Sequence, residues 1–295
     1  MHSRNASLLA GLVALFLTSI VSARDASIAA SATAGSDYVR ARDAKGNAVP
    51  ESYVLAEGKF FNGTTRDGSL ERITFPQVTR ILAPSLAKQN YFPAPNLETA
   101  DLIIMVHWGA TEIYEDPMRD QHQDDMNNAV SEYNASIAAT GTADPSALNM
   151  ALSDRETAQN FTLAAINRNA VLLGYARNLA KERQLALPSE EERTMVGELA
   201  EERYFVILFA YDNRTRLKDK KPRLLWVTRL SVRSPGTNFT EALPALAKVG
   251  GSVFGQQHDD LMRVDANLRR GTVKLGEMEI IGTANERSAD SPKAK

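Results

Sequence analysis

Arg203-Tyr-Phe-Val-Ile-Leu-Phe-Ala-Tyr211 is followed by a charged run and then by Leu224-Leu-Trp-Val-Thr-Arg-Leu-Ser-Val232. The first run is apolar at successive positions, hence on both faces of an extended chain. That is the pattern of a central strand covered on two sides. The second run reads as its partner strand.

Working outward, Asp101-Leu-Ile-Ile-Met-Val-His-Trp-Gly109 is a second buried strand, and Ser52 to Phe61 is another, with Gly58 as a bulge. Between them, Thr74 and Pro76 open a helix whose apolar face is Val78, Ile81, Leu82 and Leu86; Pro84 predicts a kink or break. Strand, helix and strand in this order predict a parallel or mixed sheet with a crossover helix.

Thr111 to Asp154 is polar and acidic and reads as loop and short helix, partly mobile. Residues 155–183 form the longest helix, with Phe161, Ala165, Leu172, Tyr175 and Leu179 in its stripe. Ser189 caps a further helix with Met195, Val196 and Leu199 inward. Phe239 to Phe254 is a last helix, and Thr272 to Ile281 a short final strand. The expected architecture is one α/β or α+β domain over residues 51–283. Its mixed sheet of four to five strands is packed by three to four helices, with a mid-chain helical insertion at 111–183.

The ends read differently. Arg4, the apolar stretch Leu8–Val21 and Val21-Ser22-Ala23 make residues 1–23 a signal peptide cleaved after Ala23. Residues 24–50, rich in Ala, Ser, Gly and Asp, read as a flexible leader, and 284–295 as a disordered tail. The expected location is exported, either periplasmic or secreted, with no membrane span after cleavage. The chain has 295 residues and no cysteine, so thiolate metal sites, cysteine nucleophiles and disulfides are excluded. A net charge of −2 argues against a dedicated nucleic-acid binder.

No nucleophile elbow, phosphate loop or dinucleotide fingerprint occurs, and no cofactor is expected. Two clusters carry candidate chemistry. Glu112 to Asp125 is rich in carboxylates and holds His122; with His107 at a strand end it offers His107, Glu112, Asp120, His122 and Asp124 as metal ligands. The bland alternative is a solvated acidic loop beside a hydrogen-bonded strand histidine. Arg214, Arg216, Lys218, Lys220, Lys221 and Arg223 give the loop between the opening runs a local balance of +4 against Asp212 and Asp219. That suits an anionic surface, or a solvated hairpin tip that blocks edge pairing.

Ala100-Asp101-Leu-Ile-Ile-Met-Val-His107, together with Leu225-Trp226, Thr228-Arg229-Leu230-Ser231 and Phe254-Gly255, resembles a set of bacterial cell-envelope domains of unknown function, often small lipoproteins. The chain departs from them in lacking the lipid-bearing cysteine and in carrying the insertion. The resemblance implies a cell-envelope component and transfers no catalytic residue. The expectation is therefore an exported cell-envelope protein, a non-enzymatic binding or structural module with a cell-envelope component as partner. The alternatives are a hydrolase or metal-dependent enzyme using His107 and residues 112–125, and an anionic-surface binder using residues 214–223.

Overall fold

The computed structural model describes residues 26–65, 67–140, 142–266 and 268. The signal segment, the expected strand at 272–281 and the tail at 284–295 lie outside the described residues. The strands are β1 (Ala26–Ala34), β2 (Glu51–Phe61), β3 (Tyr91–Pro93), β4 (Leu102–Ala110), β5 (Arg203–Asp212), β6 (Leu224–Arg233) and β7 (Met262–Ala266). The helices are α1 (Phe75–Ala87), α2 (Arg119–Thr140), α3 (Ser146–Leu173), α4 (Ala176–Glu182), α5 (Glu190–Ala200), α6 (Asn213–Asp219) and α7 (Phe239–Gly250).

The seven strands form one mixed sheet in the order β3-β2-β4-β5-β6-β1-β7. β2 runs parallel to β3 and β4, and every other pairing is antiparallel. The two opening runs are β5 and β6 near its centre. β5 alternates between two cores: Tyr204, Val206, Leu208 and Ala210 join one, Phe205 and Ile207 the other. This double burial is why the run has no polar face.

α1 and α7 cover the first face through Val78, Leu82, Leu86, Leu243 and Leu246. α3, α4 and α5 cover part of the second through Ile166, Leu173, Leu179, Met195 and Leu199. α1 runs through Pro84 to Ala87, so the expected break does not occur. Pro84 costs the helix the one bond that its missing N–H would make to Arg80 O. Gln77 accepts the Thr74 N–H at 2.8 Å, and Ser189 accepts from Glu192 N at 2.9 Å, fixing the starts of α1 and α5.

Four expectations need correction. The strand and helix counts are seven each among the described residues, above the four to five strands and three to four helices expected. Residues 26–34, expected within a flexible leader, are a strand paired with β6 on one side and β7 on the other. Their small residues are what fit: Ala30 and Ala32 pack under one layer and Ala29 under the other, with Ile28 fully buried. Residues 35–50 are tied down as well. Arg40 donates to the carbonyls of Val49 (2.8 Å), Asn90 (3.3 Å) and Gln89.

The insertion is no loop with a short helix. α2 has 22 residues and packs along α3, which has 28. Its inward positions Met126, Ala129, Tyr133 and Ser136 recur at three and four, a narrow seam that meets one other helix and leaves the remaining faces polar. The long helix expected at 155–183 is divided at Gly174, whose φ of +83° ends α3. A Cβ there would lie 2.6 Å from Ser31 Oγ, so the close approach of helix to β1 requires glycine.

Candidate functional site

The sheet has two ends, each with one of the charged clusters. At the end where β2 and β4 finish, the connections 62–74, 111–118 and 234–238 meet the α5–β5 corner. In open α/β sheets ligands bind outside the carboxyl ends of parallel strands. Two hollows open here side by side. One, of about 460 Å³, is lined by Thr65, Asp67, Glu201, Glu202, Tyr204, Ser234 and Thr237 among others. The other, of about 430 Å³, is lined by Tyr114, Asp116, Arg119, His122, Arg155 and Thr162 among others. Ile113, Glu115 and Ala200 border both, so the two hollows adjoin and are treated together as one cleft. Arg66, beside the first hollow in sequence, lies outside the described residues.

The floor of the first hollow is rigid. Asp67 accepts from Tyr204 Oη at 2.5 Å, from Ser69 N at 2.9 Å and from Ser69 Oγ, while Ser69 Oγ accepts the Phe239 N–H that opens α7. Burial pushes the Asp67 carboxyl up, but the hydrogen bonds from Ser69 and Tyr204 outweigh it and hold it below the usual range. Burial, reinforced by the same carboxylate, raises the Tyr204 phenol. Glu202 accepts from Thr64 Oγ1 at 2.9 Å and from Ser234 Oγ. In the second hollow, His122 Nδ1 lies 2.9 Å from Asp116 Oδ2; the ring of Tyr114 in its wall lies 5.3 Å from that of Phe161, which does not line the hollow. Asp116 is held low first by the Met118 N–H and then by His122.

The expected metal ligands scatter. His107 sits within β4, not at its tip. Its Nδ1 accepts the Lys59 N–H at 2.9 Å, and its ring packs edge-on against Phe209 at 5.2 Å. It thereby completes the bulge between Glu57 and Phe60 that Gly58 allows: a Cβ at Gly58 would lie 2.8 Å from the imidazole. Burial and the Lys59 charge lower its pKa, so the ring is neutral at pH 7 with its proton on Nε2. Of the other four, only His122 lines the cleft; Glu112, Asp120 and Asp124 are exposed. Among the described residues no three His, Asp or Glu side chains converge on a common point.

At the opposite end the basic segment is a short helix, not a plain hairpin tip. Asp212 caps α6 through Thr215 N at 2.9 Å, and Lys220 closes it with a φ of +55°. Arg223 lies 3.1 Å from Asp212 and 3.2 Å from Asp37, Arg214 pairs with Asp101, and Arg216 donates to Asn213 Oδ1 at 3.0 Å. Lys218, Lys220 and Lys221 remain exposed. Half of the candidate anionic surface is thus spent on the fold.

Sequence reasoning missed Asp67, Glu202, Tyr204 and Ser234. Asp67-Gly68 carries only a turn signal in the linear sequence. Glu201-Glu202 directly before the most apolar strand was the available signal, since a charged pair at a buried strand's start marks a polar rim. No protein-family model and no curated protein matches the chain.

Proposed function

We propose that the chain is an exported, non-enzymatic binding module of the cell envelope. In this reading it holds a polar small molecule bearing amine or hydroxyl groups in the cleft at the carboxyl ends of β2 and β4. The observation that carries it is the cleft itself: two adjacent hollows walled by Asp67, Glu115, Glu201 and Glu202, by hydroxyls from Thr65, Tyr204, Ser234 and Thr237, and by the Tyr114 ring, with Arg119 and Arg155 at the far side of the second hollow. Acceptor-rich walls with one aromatic platform suit donors on a compact ligand. Binding is favoured over catalysis because the acid–base groups already have structural work. Asp67 supports the start of α7, His107 holds the bulge, and His122 is joined to Asp116. Export rests on Leu8–Val21 and Val21-Ser22-Ala23.

The test is a calorimetric titration of the mature chain with glucosamine and other amino sugars. Saturable binding is expected, weakened roughly tenfold by Glu115→Gln, the size of one charge-assisted hydrogen bond. Absence of saturable binding, or affinity indifferent to Glu115, sinks this reading. Amino-terminal sequencing from envelope fractions should begin at Arg24; an intact amino terminus in the cytosol overturns export.

A further inference from the structure

At the amino ends of β2 and β4, on the side of the molecule away from the proposed cleft, lies a cavity of about 590 Å³. It is enclosed by segment 38–48, the end of α1 and residues 254–257, all of them described. Arg40, Arg42 and Lys88 stand in its wall, and no Asp or Glu does.

The charge inventory of that wall is one-sided. Several of its carbonyls already have partners. Gln89 O and Asn90 O accept from Arg40, Ala48 O from Asn90 Nδ2 at 2.9 Å, and Gly46 O from Arg42 Nη1 at 2.7 Å. The carbonyls where α7 ends are taken too: Ala247 O and Gly250 O by backbone N–H groups, and Gly251 O by Gln89 Nε2 at 2.8 Å. The surplus is in donors. Arg42 uses one guanidinium nitrogen on the protein, and Lys88 has no partner among the described residues. Both side chains are exposed to the cavity mouth.

Arg40 is the fixed member. Its Nε lies 3.0 Å from Glu51 Oε2 without lining up as a hydrogen bond, and its guanidinium stacks 4.2 Å from the Tyr91 ring centre. Glu51 therefore balances Arg40, while Arg42 and Lys88 are unbalanced at the wall. Helix polarity favours a cation where α1 ends, which accounts for Lys88. It does not account for Arg42, carried to the same wall by the turn that Asp43 builds with Lys45 N and Asn47 N, both at 2.9 Å.

We infer that this cavity is an anion site for a phosphate-bearing small molecule or headgroup, held by Arg42 and Lys88 against the platform that Arg40 fixes. The chemistry is acceptor oxygens meeting surplus charged donors. The cavity has room for more than a lone phosphate, so a larger ligand carrying one fits there. Lys218, Lys220 and Lys221 lie at the same end of the sheet and would draw anions toward it without forming the site.

The test is calorimetric titration of the mature chain with inorganic pyrophosphate at low salt, alongside sedimentation with phosphatidylglycerol and phosphatidylcholine vesicles. Expected is saturable pyrophosphate binding, weakened roughly tenfold by Arg42→Gln, by Lys88→Gln and further by the pair. Vesicle binding that is specific for phosphatidylglycerol and lost in the same variants assigns the phosphate to a lipid headgroup; pyrophosphate binding alone assigns it to a soluble ligand. Both side chains are exposed, so the variants should keep the wild-type unfolding midpoint. No binding of either probe overturns the inference. So does binding unchanged in the double variant, or an equal loss on reversing Lys220 and Lys221, which would mark diffuse attraction. Glu115→Gln should leave this binding unchanged, which separates the outcome from that of the amino-sugar cleft.

Discussion

Replacing Ile28 by Ala tests whether the segment after the signal is structural. Ile28 is 0% exposed, lies opposite Val232 on β6 and Val264 on β7, and belongs to the core under α1 and α7. The substitution removes three carbons, and at about 0.8 kcal/mol per buried methylene the transfer loss alone is roughly 2.4 kcal/mol. β1 itself is held by ladders to β6 and β7, so the hole collapses little. A cavity contribution then brings the total to about 3–4 kcal/mol. Val39→Ala, eleven positions on at an 85% exposed site, is the internal control and should stay within about 0.5 kcal/mol. Urea unfolding of the mature chain reads both, with the denaturant slope unchanged if only native stability has moved. If Ile28→Ala costs less than about 1 kcal/mol, β1 is not part of the cooperative unit and the placement of residues 26–34 fails.

Other perturbations probe other parts. His107→Ala removes the acceptor of the Lys59 N–H and should cost about 1–2 kcal/mol by urea unfolding without touching metal content. Its folded pKa is depressed, so the unfolded chain binds the proton more readily. Its share of stability is complete above the ordinary histidine pKa near 6.5 and fades as pH falls below that value toward the folded pKa. His107→Ala should flatten this part of the stability profile. Asp67 is also depressed, so its share is intact above the ordinary aspartate value of 3.8 and is lost at still lower pH. Tyr204→Phe should move that acid limb upward and cost about 1–2 kcal/mol, as expected for a hydrogen bond to a charged partner. Gly109→Ala should prevent folding or cost well over about 3 kcal/mol, read as loss of soluble protein, because φ is +148° and a Cβ would lie 1.9 Å from Phe61 O.

The legibility of each element followed the width of its apolar signal. β4, β5 and β6 are buried on two sides or nearly so, and their continuous runs show without any partner in view. α1, α5 and α7 carry cap residues and apolar stripes because each lies on the sheet or on a helix that does. α2 was hidden because a helix that meets only α3 needs only a narrow seam, here Met126 and Ala129, and such a seam barely alters composition. β1 was hidden because alanine is a poor strand former in isolation, while a strand wedged between β6 and β7 under two helical layers selects small side chains. The candidate residues fared by the same logic. His107 and Arg214 looked available in a linear reading, yet each has a partner: the Lys59 amide 48 positions away, and Asp101.

The sequence alone, through local burial pattern and capping chemistry, determined a mixed α/β fold with its central strand pair, its crossover helix and two oppositely charged clusters. Which charges are spent and which stay free was decided only by tertiary structure. Ion pairs and hydrogen bonds form between residues that the sheet order brings together, and no spacing along the chain encodes that order. The sheet sets Arg223 against Asp212 and Asp37, gathers Asp67, Tyr204 and Ser234 from three separate segments, and leaves Arg42 and Lys88 facing one cavity without a carboxylate.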